Sequence, residues 1–289
     1  MGRTFVLWLA SGACLYGATR YDGDGVPTAP EEAHRWYINR ARFAPETQAD
    51  AFGLTNSTAG GHPNYDVCED TDGANDFGTT PAEWAPWTNS LPPLAPNAKL
   101  ITAARNHSTD LATTSTFQHN SPSSTYYPLG STPWYRMTNG GYIYTTAGEN
   151  IVYGYRYQSG SYPAYGQTPY EGFAALFVDT GVVNRGHRMN ILYPAFREIG
   201  LGHYRKQVIS GFYYTYDYCT QDFGASGTVH FLTGTIFTDS TANGVYDEGE
   251  GVSNIEVHVF QNGAEGTWYD SSAPCGSFAV PIEGLADGQ

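Results

Sequence analysis

Helical signals come first in this sequence and the long strand signals come late, an order that points to an α+β sandwich. Thr28 stands three residues before Glu31 with Pro30 between them, a capping box with proline in the first turn. The helix it opens, residues 31–43, sets Ala33, Tyr37, Ile38 and Ala41 on one face, and Pro45 ends it. Residues 98–114 keep the helical period through Leu100, Ala103, Ala104, His107 and Leu111, and His107 on that apolar face reads as a core histidine. A second capping box, Thr168 with Glu171, starts a third helix with Phe173, Leu176 and Phe177 inward and Gly181 as its stop. Residues 198–204 and 208–218 then read as a tyrosine-rich strand pair, and 147–152 as a short strand entrance. Residues 53–96 and 121–144 show no period and read as loops, the second carrying Trp134, Tyr135 and Arg136.

Hydrophobic residues make up 40% of the chain and charged residues only 15%, so the chain is globular, with a polar surface built largely from Gly, Ser, Thr, Asn and Tyr. The formal net charge of −14 argues against nucleic acid or an anionic membrane as partner, because phosphate binding needs basic stripes. Beyond Lys206 there is no Lys or Arg, while acids continue from Asp217 to Asp287. Such a tail is a solvated acidic surface or a home for hard cations such as calcium.

The run Phe5 to Ala10, preceded by Arg3 and followed by Ser11, Gly12 and Ala13, has the form of a short secretory signal and is too short to span a bilayer as a helix. Residues 1–17 are therefore expected to be a signal segment and 18–26 a linker, with the protein secreted or at the cell surface. The residues before Cys14 fit a lipidation site poorly. Cys14, Cys68, Cys219 and Cys275 are far apart and include no Cys-x-x-Cys pair, which excludes zinc-ribbon and thioredoxin-like readings. Cys68 and Cys219 are candidate disulfide partners in an oxidising compartment, and spacing alone does not fix the pairing.

Three polar residues at element boundaries have the right chemistry for a cation or small-ligand cavity. They are His119, just after the 98–114 helix; Glu149, in Gly148-Glu149-Asn150-Ile151; and His187, between Arg185 and Arg188 in the stretch from Arg185 to Leu192. Asp179, in the last turn of the third helix, opposes that helix dipole, and the sequence predicts that a cation or Arg185 compensates. No serine sits in a nucleophile elbow, and Ser108 is a helix residue beside the core histidine. A His/Glu pair that activates water for hydrolysis is the enzymatic alternative, and a structural or adhesive surface protein is the third reading.

Seven short motifs carry a resemblance. Ile38-Asn39-Arg40-Ala41-Arg42, Leu94-Ala95-Pro96-Asn97, the stretch from Ala103 to Asp110, Phe117-Gln118-His119, Gly148 to Ile151, Arg185 to Leu192 and Thr220-Gln221-Asp222-Phe223 occur in the order found in the CAP (or SCP) superfamily of cysteine-rich secretory, antigen 5 and pathogenesis-related proteins. The chain resembles the bacterial secreted type of that family over residues 27–224. The resemblance implies a three-layer α-β-α sandwich with a central cleft of two histidines and two acids that bind a divalent metal in some members. By motif, His119, His187 and Glu149 match three of these. The second acid normally follows a tryptophan, and here Asp179 follows Phe177-Val178, a departure that leaves a shorter carboxylate to reach the same point. Zinc or a similar divalent ion suits such a set.

Past Gly224 the pattern changes. Residues 231–237 alternate as a strand and lead into a match to the twelve-residue calcium loop, with Asp239, Thr241, Asn243, Val245 through its carbonyl, Asp247 and Glu250 at the ligand positions and Gly244 at the turn. Strand-like rather than helical flanks argue against an EF-hand, and residues 255–260 alternate like a half-buried strand. Residues 228–289 resemble the calcium-binding, Ig-like β-sandwich repeats of bacterial surface adhesins. The last strand, 277–282, runs out at Gln289 where such domains continue, so a truncated chain with an open sheet edge is expected. The sequence thus predicts a secreted CAP module whose cleft binds a ligand or cation, joined to a calcium-stabilised β-domain. The partner is an unidentified small ligand, glycan or protein.

Overall fold

The computed structural model describes residues 26–54, 89–180, 182, 185–261 and 264–282, with short strand fragments at 9–10, 19–20, 56–59 and 62–65. In chain order the elements are β1 (Leu9–Ala10), β2 (Thr19–Arg20), α1 (Ala29–Phe43), α2 (Pro45–Ala51), β3 (Asn56–Ala59), β4 (His62–Tyr65), β5 (Ala95–Pro96), α3 (Ala98–Thr114), α4 (Pro133–Asn139), β6 (Thr146–Gln158), α5 (Pro169–Val178), α6 (Gly186–Ile191), β7 (Glu198–Ser210), β8 (Phe212–Ala225), β9 (His230–Thr235), β10 (Glu256–Gln261), β11 (Ala264–Ser271) and β12 (Ser277–Ile282).

The central sheet has the order β5-β7-β8-β6, with β7, β8 and β6 antiparallel and β5 parallel to β7. Gly211, at φ +73°, closes the β7–β8 hairpin in a left-handed conformation that costs glycine little. Side chains alternate across the sheet, and each face has its own helices. On one face lies α3, whose Ser108 hydroxyl donates to the Gly202 carbonyl (2.6 Å) and accepts from the Thr220 hydroxyl (2.8 Å). Gly200 and Gly202 make this approach possible: a Cβ at Gly202 would lie 2.1 Å from a backbone carbon of Ala104, and one at Gly200 would lie 2.0 Å from that of Leu100. On the other face, Ile199, Leu201, Cys219 and Phe223 pack with Ile38 of α1 and with Phe173, Leu176 and Phe177 of α5. The result is an α-β-α sandwich, and its apolar core lies mainly on the α1/α5 side.

The α1 and α5 starts match their capping boxes: Glu31 Oε2 accepts the Thr28 N–H at 2.7 Å, and Glu171 Oε2 accepts that of Thr168 at 2.8 Å. Several expectations change, and residues 53–96, read as a loop, hold β3, β4 and β5. Residues 121–144 contain α4, a seven-residue helix too short to show a period, which Thr132 caps by accepting the Tyr135 N–H (3.3 Å) with Pro133 in its first turn. The strand entrance at 147–152 is the start of a thirteen-residue strand, and the two pieces at 198–204 and 208–218 belong to one continuous hairpin. Helix α5 stops at Val178 because Asp179 turns left-handed (φ 55°), before Gly181, which lies outside the described residues.

Beyond residue 225 the chain forms two strand pairs. β9 and β12 are antiparallel, and so are β10 and β11, which the fragments β1 and β2 flank. Val257, Phe278 and Val280 bury together against Leu232, Ile236 and Val259. One buried guanidinium ties this part to the sandwich. Arg35 pairs with both oxygens of Glu32 (2.8 and 2.6 Å) and donates to the carbonyls of Leu94 (3.0 Å) and Gly234 (2.9 Å) and to Thr233 Oγ1 (3.1 Å). An unpaired guanidinium at that depth would cost several kcal/mol, so Arg35 and its partners define the α1–β9 junction. Cys219 is a free buried thiol, with Sγ 3.5 Å from His34 Nδ1, and its candidate partner Cys68 lies outside the described residues.

Candidate functional site

β6 is an edge strand, and the site straddles it. Its residues alternate between faces, so Glu149 points to the α3 side and Asn150 to the α5 side. Glu149 is buried and its two oxygens have different partners: Oε1 accepts from His119 Nδ1 at 2.8 Å, and Oε2 accepts from Arg136 Nη2. Arg136, itself fully buried, also donates through Nη1 to the carbonyls of His119 (2.9 Å) and Ser131 (3.0 Å). One guanidinium therefore fixes both the carboxylate and the backbone of the histidine that the carboxylate orients. Burial pushes the Glu149 carboxyl up, but the His119 hydrogen bond and the Arg136 charge outweigh it and hold the group below its ordinary range.

On the other side, Asn150 anchors α6. Its amide donates to the His187 carbonyl (3.0 Å) and to Gln221 Oε1 (2.9 Å), and its oxygen accepts from Asn190 Nδ2 (2.8 Å). Asp179 holds the ring that α6 presents. Its Oδ1 accepts from His187 Nδ1 at 2.7 Å, while Oδ2 accepts the backbone N–H groups of His187 (2.9 Å) and Arg188 (3.3 Å). The carboxylate that follows α5 is thus stabilised by the first amides of α6. The α5 carbonyl end is met by Arg188, whose guanidinium donates to Phe177 and Val178, and Arg185 Nη1 reaches the carbonyls of Asp179 (3.3 Å) and Val182 (2.7 Å).

His119 and His187 line one open cleft of about 670 Å³ with Glu149, Asn150, Asn190 and Met189 among its walls. Each histidine has a buried carboxylate on Nδ1. A carboxylate accepts only, so Nδ1 carries the hydrogen and Nε2 keeps the lone pair in the neutral ring. The four residues come together as two imidazole–carboxylate pairs, with both acids engaged in holding rings. Among the described residues no group of three His, Cys, Asp or Glu side chains lies close enough to hold one metal ion. Arg136 is the residue that sequence reasoning placed only in a loop. It had a signal, since it is the one charged residue between positions 121 and 144.

Two nearby groups are occupied elsewhere. The Ser108 hydroxyl is buried and donates to the β-sheet. His107 is buried with Nε2 donating to the Gln118 carbonyl at 3.1 Å, and burial lowers its pKa to about 4.

The loop at 239–250 is a closed turn. Asp239 accepts the N–H groups of Asn243 (3.1 Å) and Gly244 (2.8 Å), and Asp247 Oδ2 accepts from Thr241 Oγ1 (3.0 Å) and Asn243 Nδ2 (2.9 Å). Gly244 is left-handed at φ +72°, and the Val245 N–H donates to Asn243 Oδ1 at 2.8 Å. Glu250 draws the ends together by accepting the Ser240 N–H (2.8 Å) and the Asp247 N–H (3.0 Å).

The fold and the cleft define an α-β-α sandwich with a paired His/carboxylate floor. The model of the CAP family, the cysteine-rich secretory protein family, matches residues 37–223, and the chain belongs to that family. It is similar to the uncharacterized protein YkwD of Bacillus subtilis, at 35% identity over 113 residues, which are 39% of this chain and 35% of the relative. It also aligns with the crystal structure of an extracellular protein containing an SCP domain from Bacillus anthracis, at 28% identity and a TM-score of 0.32, over 46% of this chain and 34% of that one. The chain thus spans about a third of the length of each of these two proteins. Among the described residues no helix is long and apolar enough to cross a membrane.

Proposed function

We propose that this chain is a secreted or cell-surface CAP-domain protein whose cleft binds a divalent cation, zinc or a similar ion, and through it a ligand. The observation that carries this reading is the pair of buried carboxylates, Glu149 and Asp179, each fixing the tautomer of a cleft histidine. Carboxylate–imidazole pairing of this kind is how proteins orient metal-binding histidines. Such an ion would be held by His119 and His187 through Nε2, two protein ligands, with Glu149 and Asp179 behind them on Nδ1. When bound, such an ion offers open coordination positions to an oxygen or nitrogen of the ligand. The apolar N-terminal run supports export.

The same reading makes residues 228–289 an accessory Ig-like β-domain stabilised by calcium at the 239–250 loop. Its support is the convergence of Asp239, Thr241, Asn243 and Asp247 side chains around a left-handed glycine, together with the shared apolar core of the two strand pairs.

Metal content by mass spectrometry on stripped and reloaded protein tests both halves. Zinc is expected to be lost only in His119→Ala/His187→Ala, and calcium only in Asp239→Ala/Glu250→Ala. Neither metal rising above background in the wild type would overturn the reading.

A further inference from the structure

The sheet face that carries Glu149 extends past the helix that covers it. Helix α3 has 17 residues and is about 25 Å long, whereas the 13 residues of β7 extend about 43 Å. Lys206 marks the boundary, with Nζ donating to the Ala112 carbonyl (2.7 Å) and to Ser115 Oγ (2.9 Å) at the end of α3. Beyond it the solvent face of the hairpin is aromatic where an antiparallel sheet ordinarily turns polar.

The rings form a ladder. Cross-strand neighbours Tyr153 and Tyr218 lie 5.5 Å apart, Tyr155 and Tyr216 5.4 Å, and Tyr157 and Tyr214 5.3 Å. Phe212 continues it at the hairpin tip, 5.4 Å from Tyr157, and Phe117 at the other end, 4.8 Å from Tyr153. Tyr155 and Tyr157 are 54% and 56% exposed, so the ladder runs from the end of α3, where Tyr218 is buried with Leu111 and Ala112 and Tyr216 packs partly against them, out into solvent. The reverse face is backed by the 159–168 segment, where Thr215 Oγ1 donates to the Pro163 carbonyl (2.7 Å) and the Gly166 N–H donates to Asp217 Oδ2 (2.6 Å). The platform is therefore rigid and exposed on one side.

We infer that this ladder binds a linear, uncharged polysaccharide of β-linked pyranose rings. Three observations select that occupant. Successive rungs are two residues apart, about 6.6 Å, which is the scale of one sugar ring. The ladder contains no acid or base, and its one flanking cation, Lys206, is engaged by the helix end, so a chain with a net charge of −14 presents an uncharged strip here. Its groups are phenols, apolar on the ring face with a hydroxyl at the rim, matching the apolar ring faces and equatorial hydroxyls of such sugars. The strip is also continuous with the cleft. Phe117 precedes His119 by two residues, and Tyr153 follows Glu149 by four on the same strand, so one bound chain runs toward the histidines. Binding on the ladder does not depend on the cation reading.

Calorimetric titration of the intact protein with cellohexaose and chitohexaose tests the inference. Wild type and His119→Ala/His187→Ala are expected to bind at least one of them, Tyr155→Ala/Tyr216→Ala to bind about tenfold more weakly, Tyr155→Phe, which keeps the ring face and loses one rim hydroxyl, to fall between the two, and the remote Tyr135→Ala to bind as wild type. If the double tyrosine variant does not fold, protection of Tyr155 and Tyr157 from hydroxyl-radical labelling by the same sugars in wild type decides the matter. Absence of binding to both hexasaccharides, undiminished binding by a folded double tyrosine variant, or no protection overturns it. So does a wild-type dimer that the tyrosine variant abolishes, because a second copy would then be the occupant.

Discussion

Asp179 and His187 are joined twice, through the ring at 2.7 Å and through the backbone N–H at 2.9 Å. The carboxylate that ends one helix thereby starts the next and sets the imidazole that α6 presents to the cleft. A residue that looked like an unfavourable charge on its own helix is the hinge pin between two elements.

Asp179→Asn keeps the shape but cannot accept from the ring and both amides as a carboxylate does. Zinc affinity in a calorimetric titration is expected to fall by roughly 10- to 100-fold, the usual effect of losing an outer-shell partner. The accompanying loss of stability should be about 1–3 kcal/mol, read from urea unfolding.

Arg136→Met leaves Glu149 buried without its guanidinium. The expected cost is about 3–5 kcal/mol in urea unfolding, because removing one partner strands the other's charge. Adding Glu149→Gln should recover part of that loss, since the stranded charge is then gone. A double variant less stable than Arg136→Met would contradict the pairing.

The contact of α3 with β7 predicts a contrast between two glycines. A methyl at Gly202 meets Ala104 backbone at 2.1 Å and can be relieved only by moving the helix, whereas Gly186 has nothing within 4 Å of its would-be Cβ. Gly202→Ala should cost about 1–3 kcal/mol or more, and Gly186→Ala should stay within about 0.5 kcal/mol. Thermal melts of the two variants compare them directly.

Acid should weaken the fold in two stages. Burial lowers the pKa of His34 to about 3 and of His107 to about 4, while both titrate near 6.5 when exposed. Between those values the unfolded chain binds protons that the folded chain refuses, so their contribution is complete above about pH 6.5 and declines as pH falls toward 4 and 3. Glu149, held below its ordinary value, adds a loss at lower pH as the folded carboxylate protonates. Urea midpoints from pH 7.5 to 4.5 should fall, and His107→Gln should flatten the slope by about one proton.

Much of this was readable in the sequence because it rests on local rules. The capping boxes at Thr28 and Thr168 mark helix starts, and the apolar period of residues 98–114 marks a buried helix face. Three features were not readable. Asp179 adopts a left-handed conformation that glycine usually supplies, so the α5 end was assigned to Gly181. Strand β6 continues through Tyr153, Tyr155 and Tyr157, whose exposed rings alternate with Gly154, Arg156 and Gln158, and nothing in that alternation marks a buried face. Arg136 acts from a seven-residue helix through contacts 13 and 17 residues away, which no periodicity reports.

His119 and His187 are proposed to hold one cation together, each ring fixed by its own carboxylate. Zinc titration of wild type and of His119→Ala, His187→Ala and the double variant addresses it most directly. One ion per chain in wild type, with each single variant losing nearly as much affinity as the double, is the predicted result. Unchanged affinity and stoichiometry in the double variant would contradict it and move the cation site elsewhere on the chain.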